Sequence, residues 1–341
     1  MPIPNGYTAS QISTEDSEAE GLVIYEIPEG ATVNWQEDET DGTNESTITI
    51  GGSTTNLQET VNQYVWIPVD INSMVMCESN TGASQCNLVY NEEADTLTCQ
   101  THPATATNLV GRLYTSLSLN TGNNIYSYTM NFMKRDQTYN TSSYHEPNTV
   151  NSDSSNSITN AQLKNDFIVM AKSVAKNGGF YISRYEVGEG GSSKKGQPVL
   201  TAATTGGGSG ATAYLGANMW YGLYNTIKNS GANKQMIWGC QYAQVIKFIG
   251  EPAQIGHSDR NLTTTHALSG QNELDCMNNI YDLEGNHYEW TAEARSTDYR
   301  ALRGSNYLNA SNGYFYPASN RLNPYPTVSD SSFSSRSTLY L

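Results

Sequence analysis

Five cysteines and five histidines are the residues of this chain best suited to covalent, redox or metal chemistry. The cysteines are Cys77, Cys86, Cys99, Cys240 and Cys276. Their number is odd, their spacing is scattered and no CxxC pair occurs, so neither a disulfide framework nor a zinc site follows. A pairing among Cys77, Cys86 and Cys99 stays open. The histidines are His102, His145, His257, His266 and His287, and no two of them stand at i, i+4. A metal would need distant residues such as His257 and His266 to be brought together. Serine is abundant, yet no serine sits in a nucleophile-elbow pattern. Cys240 and Cys276 adjoin the core-like Trp238 and Met277 and read as buried, inert thiols.

The scaffold that must position any site is built from unusual material. The 341 residues carry a net charge of -15, from 33 acidic and 18 basic residues, yet only 15% are charged and 37% are apolar. Asn, Ser, Thr, Gly and Tyr fill the difference, a composition suited to short strands and long ordered loops. An acidic surface with no basic stripe repels phosphate, so a nucleic-acid partner is not expected. No apolar run approaches the roughly 18 residues of a membrane span. Residues 1–20 have no basic region and no apolar core, so they do not read as a signal peptide.

Along the chain, residues 1–60 read as a flexible arm or a small β-rich region for attachment or oligomerisation. Leu22–Ile27 and Ser46–Ile50 are its strand candidates. Tyr64–Ile71 (YVWIPVDI) is the most convincing strand, with Pro68 restricting it to a sheet edge or its own terminus. Leu109–Leu119 and Ile125–Met133 fit a hairpin across residues 120–124. Leu163, Phe167, Met170 and Val174 recur at spacings of four, three and four, which predicts a helix that Gly178-Gly179 stops. A strand follows over Phe180–Val187, then a Gly-, Ser- and Thr-rich loop over 188–210. Helices are expected over Ala217–Asn229 and Trp238–Ile249, with mostly loop and short strand beyond. These elements alone define a mixed α+β fold with much coil. Phe180, Tyr181, Ile182, Tyr185, Trp238 and Trp290 are expected to share one core.

Four motifs go further. GGFYISRYEV (178–187), MIWGCQYAQVIKFI (236–249), NNIYDLEGNHYEWTAEA (278–294) and YRALRGSNY (299–307), in this order, resemble the formylglycine-generating-enzyme or sulfatase-modifying-factor family. That family has an elaborated C-type-lectin fold. YVWIPVDI and HEPNTV (145–150) resemble segments of its prophage-borne members. The resemblance implies an α+β, C-type-lectin-like domain over 61–341, with an insertion over about 72–144 and an additional N-terminal β-rich part. It permits calcium near Asn286 and Glu289, a hard cation being suited to such oxygen ligands. The residues themselves offer another role: Gly285-Asn286 is a turn favouring positive φ, and Asn286, Glu289 and Arg303-Gly304 can satisfy loop backbone groups.

The generating enzymes of this family use a reactive cysteine pair with copper in the C-terminal portion, and here no cysteine follows Cys276. The related sulfoxide synthases need a histidine-rich iron site, which the histidine spacing does not offer. Catalysis is therefore not expected. The last 37 residues instead contain 9 Ser, 5 Asn, 5 Tyr, 2 Thr and 1 Asp. Tyrosine offers large contact area at low entropy cost, and Ser and Asn add adaptable hydrogen bonds.

A branch of the family carried by phages and prophages is diversified by retroelements that mutate adenines, and its variable segment lies in this position. The resemblance thus implies a variable region over about 305–337, with Tyr307, Asn309, Asn312, Tyr314, Tyr316, Asn320, Asn323 and Tyr325 exposed on one face as ligand-binding residues. It departs from the family in reading Arg303-Gly304-Ser305 for Arg-Gly-Gly, and Ser332–Arg336 for a Gly-Phe-Arg strand. The expected protein is non-catalytic and virion-borne or extracellular. It would bind a bacterial surface protein or glycan, and could form a homo-oligomer through the N-terminal region. An oxidase or other enzyme of the same fold, and a structural virion or surface protein without a specific ligand, are the alternatives.

Overall fold

A computed structural model describes residues 1–69, 75–77, 85–99, 112–119, 124–129, 160–201, 220–250, 267–294, 300–311, 316–322, 324 and 328–341. It is a mixed α+β protein, rich in short strands. Its central sheet has six strands in the order Tyr7–Ala9, Val23–Glu26, Gln63–Pro68, Gly179–Ser183, Ser337–Leu339 and Lys234–Met236. Every neighbouring pair is antiparallel. The C-terminal strand is thus threaded between two strands from the middle of the chain. Among the described residues no helix is long and apolar enough to cross a membrane.

The pleat sends alternate residues to opposite faces. Val65 and Ile67 pair with Ile182 and Phe180 on one face, and Trp66 pairs with Tyr181 on the other. The first face joins the main core, where Phe180, Ile182, Trp238 and Trp290 meet Leu163, Phe167, Met170 and Val174. Those last four belong to the helix Asn160–Asn177. Gly178 ends this helix at φ +74, where a side chain would be strained, and donates its N–H to Val174. The helices Trp220–Asn229 and Gly239–Ile249 complete the layer.

One expectation needs correction. Tyr181 is buried, but in a second, smaller cluster with Leu22, Ile24, Tyr64, Trp66 and Leu339. A strand one residue thick cannot place Phe180, Tyr181 and Ile182 on the same side. Tyr185 is also buried, stacked on Tyr281 with centroids 5.1 Å apart. The strand expected to reach Val187 ends at Ser183, because the chain then leaves Gln63 and Val187 donates to the carbonyl of Ser335. Pro68 does close its strand, yet that strand is central in the sheet.

The first 60 residues do more than extend an arm. Tyr7–Ala9 and Val23–Glu26 belong to the central sheet, so a boundary near residue 60 falls within one hydrogen-bonded layer. Glu15 fastens the region: its carboxylate takes Arg184 Nη1 at 2.7 Å and the hydroxyls of Ser10 and Tyr25 at 2.7 Å each. Burial alone would raise this carboxyl, but Arg184 and the two hydroxyls outweigh it and hold Glu15 below the usual carboxylate range. Within the 72–144 stretch, the described strands form a five-stranded antiparallel sheet. The expected hairpin is present as Arg112–Leu119 paired with Asn124–Thr129. Cys77, Cys86 and Cys99 lie on three successive strands of that sheet.

Removing one member of a buried ion pair leaves an uncompensated charge. Glu15→Ala should lower stability by about 3–5 kcal/mol in urea unfolding, with the loss shared by the whole cooperative transition. A loss under about 1 kcal/mol would show that the N-terminal region is only loosely attached.

Candidate functional site

The C-terminal motifs converge on a second sheet, ordered Arg321–Leu322, Arg300–Arg303, Tyr288–Ala294 and Phe333–Ser335. Trp290 lies at its centre, fully buried, with Phe333 edge-on at 5.7 Å. The sheet is too short to satisfy the surrounding loops, and buried charged side chains do so instead. Arg303 donates to the carbonyls of Ser319 and Gly239 and lies over the Tyr242 ring at 5.3 Å. Arg300 covers Trp220 at 4.0 Å. Gly304 has φ +76, and a β-carbon there would lie 2.5 Å from the Leu283 carbonyl oxygen, so only glycine fits.

Beneath this sheet Arg336 Nε meets Glu289 Oε1 at 2.5 Å. The nearby loop Asp282–His287 turns with Asp282 and Asn286 at positive φ. Asn286 Nδ2 donates to Glu186 Oε2 at 2.6 Å, and the His287 N–H donates to Glu186 Oε1 at 3.1 Å. The His287 ring nitrogen Nδ1 lies 3.2 Å from both carboxylate oxygens. All six side chains are buried. Burial pushes the Glu186 carboxyl up to about 8, with Arg336 opposing. Burial and the Glu186 charge push Asp282 up to about 7. Burial likewise lowers His287 to about 4.

Four of the eight residues expected at a binding face are among the described residues. Tyr307 begins the short helix Tyr307–Ser311, and its N–H donates to the carbonyl of Asn286. Its ring stands edge-on to His287 at 5.9 Å, and its hydroxyl lies 3.3 Å from Ser331 Oγ. Asn309 Nδ2 reaches the Tyr288 hydroxyl and Ser305 Oγ. Tyr316 is 40% exposed. Asn320 and Gly304 exchange two hydrogen bonds through Asn320 Nδ2 and O. Tyr307, Asn309 and Asn320 are half-buried. Asn312, Tyr314, Asn323 and Tyr325 lie outside the described residues.

Sequence reading passed over Leu308, 44% exposed between two of the named residues, and Leu322, 37% exposed. It also passed over the hydroxyls of Tyr288 and Ser331. Leucine and a tyrosine within a buried strand carry no compositional mark of a surface. A signal existed only in position: a five-residue helix starting on a half-buried Tyr307 cannot bury Leu308 as well.

Asn286 and Glu289 do not fit calcium as they stand. Arg336 already supplies a cation to Glu289, and Asn286 Oδ1 accepts from the Ala267 N–H at 3.1 Å. Among the described residues no group of three or more His, Cys, Asp or Glu could hold a metal ion. His257 and His266 lie outside those residues. Cys240 is buried, as expected. Cys276 is only partly so, although burial pushes its thiol up to about 11.

No protein-family model and no curated protein matches the chain. Solved structures that resemble it include the Major Tropism Determinant U1 variant, 13% identical over 95% of this chain and 84% of that one, with a TM-score of 0.35. PvdO from Pseudomonas aeruginosa is 15% identical over 48% of this chain and 81% of its own, at a TM-score of 0.34. Treponema denticola variable protein 1 is 13% identical over 86% and 98%, at 0.21. Likeness at this level decides neither fold nor function.

A carboxyl with a raised folded-state pKa binds protons more tightly folded than unfolded, so raising the pH removes stability. For Glu186 and Glu289 the loss runs from about pH 4.5 to about pH 8, and for Asp282 from about pH 4 to about pH 7. His287, lowered, costs stability in the opposite direction as pH falls below about 6.5. The melting temperature should therefore fall steadily from about pH 6.5 to about pH 8.5. In Glu186→Gln, which removes one of the three raised carboxyls, this slope should flatten in part. A melting temperature flat across that range in the unsubstituted protein contradicts the assignment.

Proposed function

We propose that this chain is a non-catalytic ligand-binding protein of the C-type-lectin-like, formylglycine-generating-enzyme-like kind. In this reading it is carried on a phage or prophage particle, diversified by a retroelement over about 305–337, and directed at a bacterial surface protein or glycan. The observation that carries the proposal is the pairing of a buried, charge-bonded platform with an overlying layer of Tyr, Asn, Ser and Leu. Tyr307, Asn309 and Asn320 rest on Asn286, His287, Tyr288, Ser331 and Gly304, and Tyr316 is exposed. A face that must accept different side chains needs support independent of them. The same segment contains only three charged residues, Arg321, Asp330 and Arg336. Arg336 is committed to Glu289, and Asp330 accepts from Ser332.

The test applies the full chain, fluorescently labelled, to a panel of intact bacterial strains. Tyr316→Ala, and Tyr314→Ala or Tyr325→Ala beside it, should weaken binding to a responding strain by about 2 kcal/mol or more. The melting temperature should hold, since an exposed side chain contributes little to the core. Lost melting temperature with unchanged binding would sink the binding-face assignment, and stoichiometric copper or iron in the purified protein would reopen catalysis. A reverse-transcriptase gene beside an adenine-rich near-copy of the segment encoding 305–337 is the expected genomic setting.

Charge sparsity gives a second outcome. Binding to the responding strain should change less than roughly threefold between about 0.05 and about 0.5 M salt, because screening has few exposed charges at the face to act upon. A tenfold loss would mean that charges elsewhere on the acidic surface make the contact.

A further inference from the structure

Glu186 is far from Tyr307 in sequence and touches none of the residues expected to meet a ligand. Its carboxyl group is nevertheless the acceptor on which the Asn286–His287 turn closes. Asn286 gives it a side-chain amide and His287 a backbone N–H, one to each oxygen. The other side of that turn faces the binding layer: the Asn286 carbonyl accepts the Tyr307 N–H at 3.0 Å, and the His287 ring supports the Tyr307 ring. Asn286 holds φ +52, a conformation that costs energy for a side chain with a β-carbon unless its bonds fix it there. The amide does so by bonding Glu186 on one side and both polar backbone groups of Ala267 on the other. Gln197 Nε2 donates to the Glu186 carbonyl and restrains the backbone beneath.

We propose that Glu186 is a positioning residue of the binding face, fixing Tyr307 and the helix it begins through Asn286 and His287. The proposal rests on the reading that residues 307–320 meet the ligand, but its first test needs no ligand. The carboxyl can turn its proton toward His287 Nδ1 and still accept at both oxygens, whereas a glutamine offers one acceptor and sets its amide group against a donor. In Glu186→Gln, amide hydrogen exchange at Tyr307 should accelerate tenfold or more. Exchange in the central strand Gly179–Ser183 should stay within twofold. Asn286→Gly keeps the positive φ and deletes the side-chain link, and it should reproduce the same local acceleration in a variant whose backbone is not strained.

On a strain that binds the unsubstituted protein, both variants should bind at least tenfold more weakly, with Tyr307, Asn309 and Tyr316 all intact. Unchanged exchange at Tyr307 in both variants overturns the proposal. So does acceleration spread equally over Gly179–Ser183, which marks a general loss of stability, and so does local acceleration with undiminished binding. If Glu186→Gln does not fold, Asn286→Gly alone decides between these outcomes. If the unsubstituted protein binds no strain, the functional reading fails while the exchange result still decides whether Glu186 positions Tyr307.

Discussion

The structure depends on one buried guanidinium. Arg336 donates Nε to Glu289, Nη1 to the carbonyls of Ser183 and Arg184, and Nη2 to the carbonyl of Tyr281. Those partners come from the end of the central strand, the loop after it, the Asp282 turn and the C-terminal sheet. Four segments that share no continuous ladder are thus joined by one planar group with five donors. A lysine would carry the charge but could not direct donors to so many acceptors at once. The cost is a charge out of water, which is sustained only because nearly every donor has an acceptor.

That arrangement sets the electrostatics around it. One cation faces Glu186, Asp282 and Glu289, with the Tyr242 hydroxyl and the His287 ring in the same enclosure. A single positive charge cannot balance three carboxylates in a dry interior, so burial pushes all three carboxyls up, Glu186 and Glu289 to about 8 and Asp282 to about 7, with Arg336 opposing. Burial also keeps His287 neutral, which leaves its ring free to act as an uncharged support for Tyr307. The interior here is polar where most cores are apolar, because it must order loops as well as fill space.

The scaffold was legible where periodicity is strong. Leu163, Phe167, Met170 and Val174 announce their helix, and the 112–119 and 124–129 hairpin follows from two strand-like runs with turn residues between them. Tyr181 was misplaced because burial was inferred from residue type, whereas the face is set by the pleat. The role of residues 1–60 was hidden because Glu15 and Arg184 are 169 positions apart and each looks like an ordinary surface charge in sequence. Long-range ion pairs leave no spacing to read. The candidate residues were marked by composition alone; of them Tyr307 and Asn309 lie in the short helix Tyr307–Ser311, and Tyr316 and Asn320 in the loop before Arg321–Leu322. Glu186 was not singled out at all, since its function depends on a turn one hundred residues later.

The named face residues divide into two physical kinds. Asn309 and Asn320 spend side-chain amides on Tyr288, Ser305 and Gly304, so they belong partly to the support. Tyr316 and Leu308 are exposed. Tyr307 stands between, with a backbone bond to Asn286 and a hydroxyl at Ser331. A substitution at Tyr316 or Leu308 changes mainly the exposed surface, while one at Asn309 or Asn320 also removes bonds that shape the loop. The backbone contacts from Tyr307 to Asn286 and from Gly304 to Asn320 do not depend on side-chain identity, with Gly304 fixed by the space beside Leu283. Diversity at this face is therefore cheapest where the backbone alone carries the support, and the positions bonded through their amides are the ones where variation and stability compete.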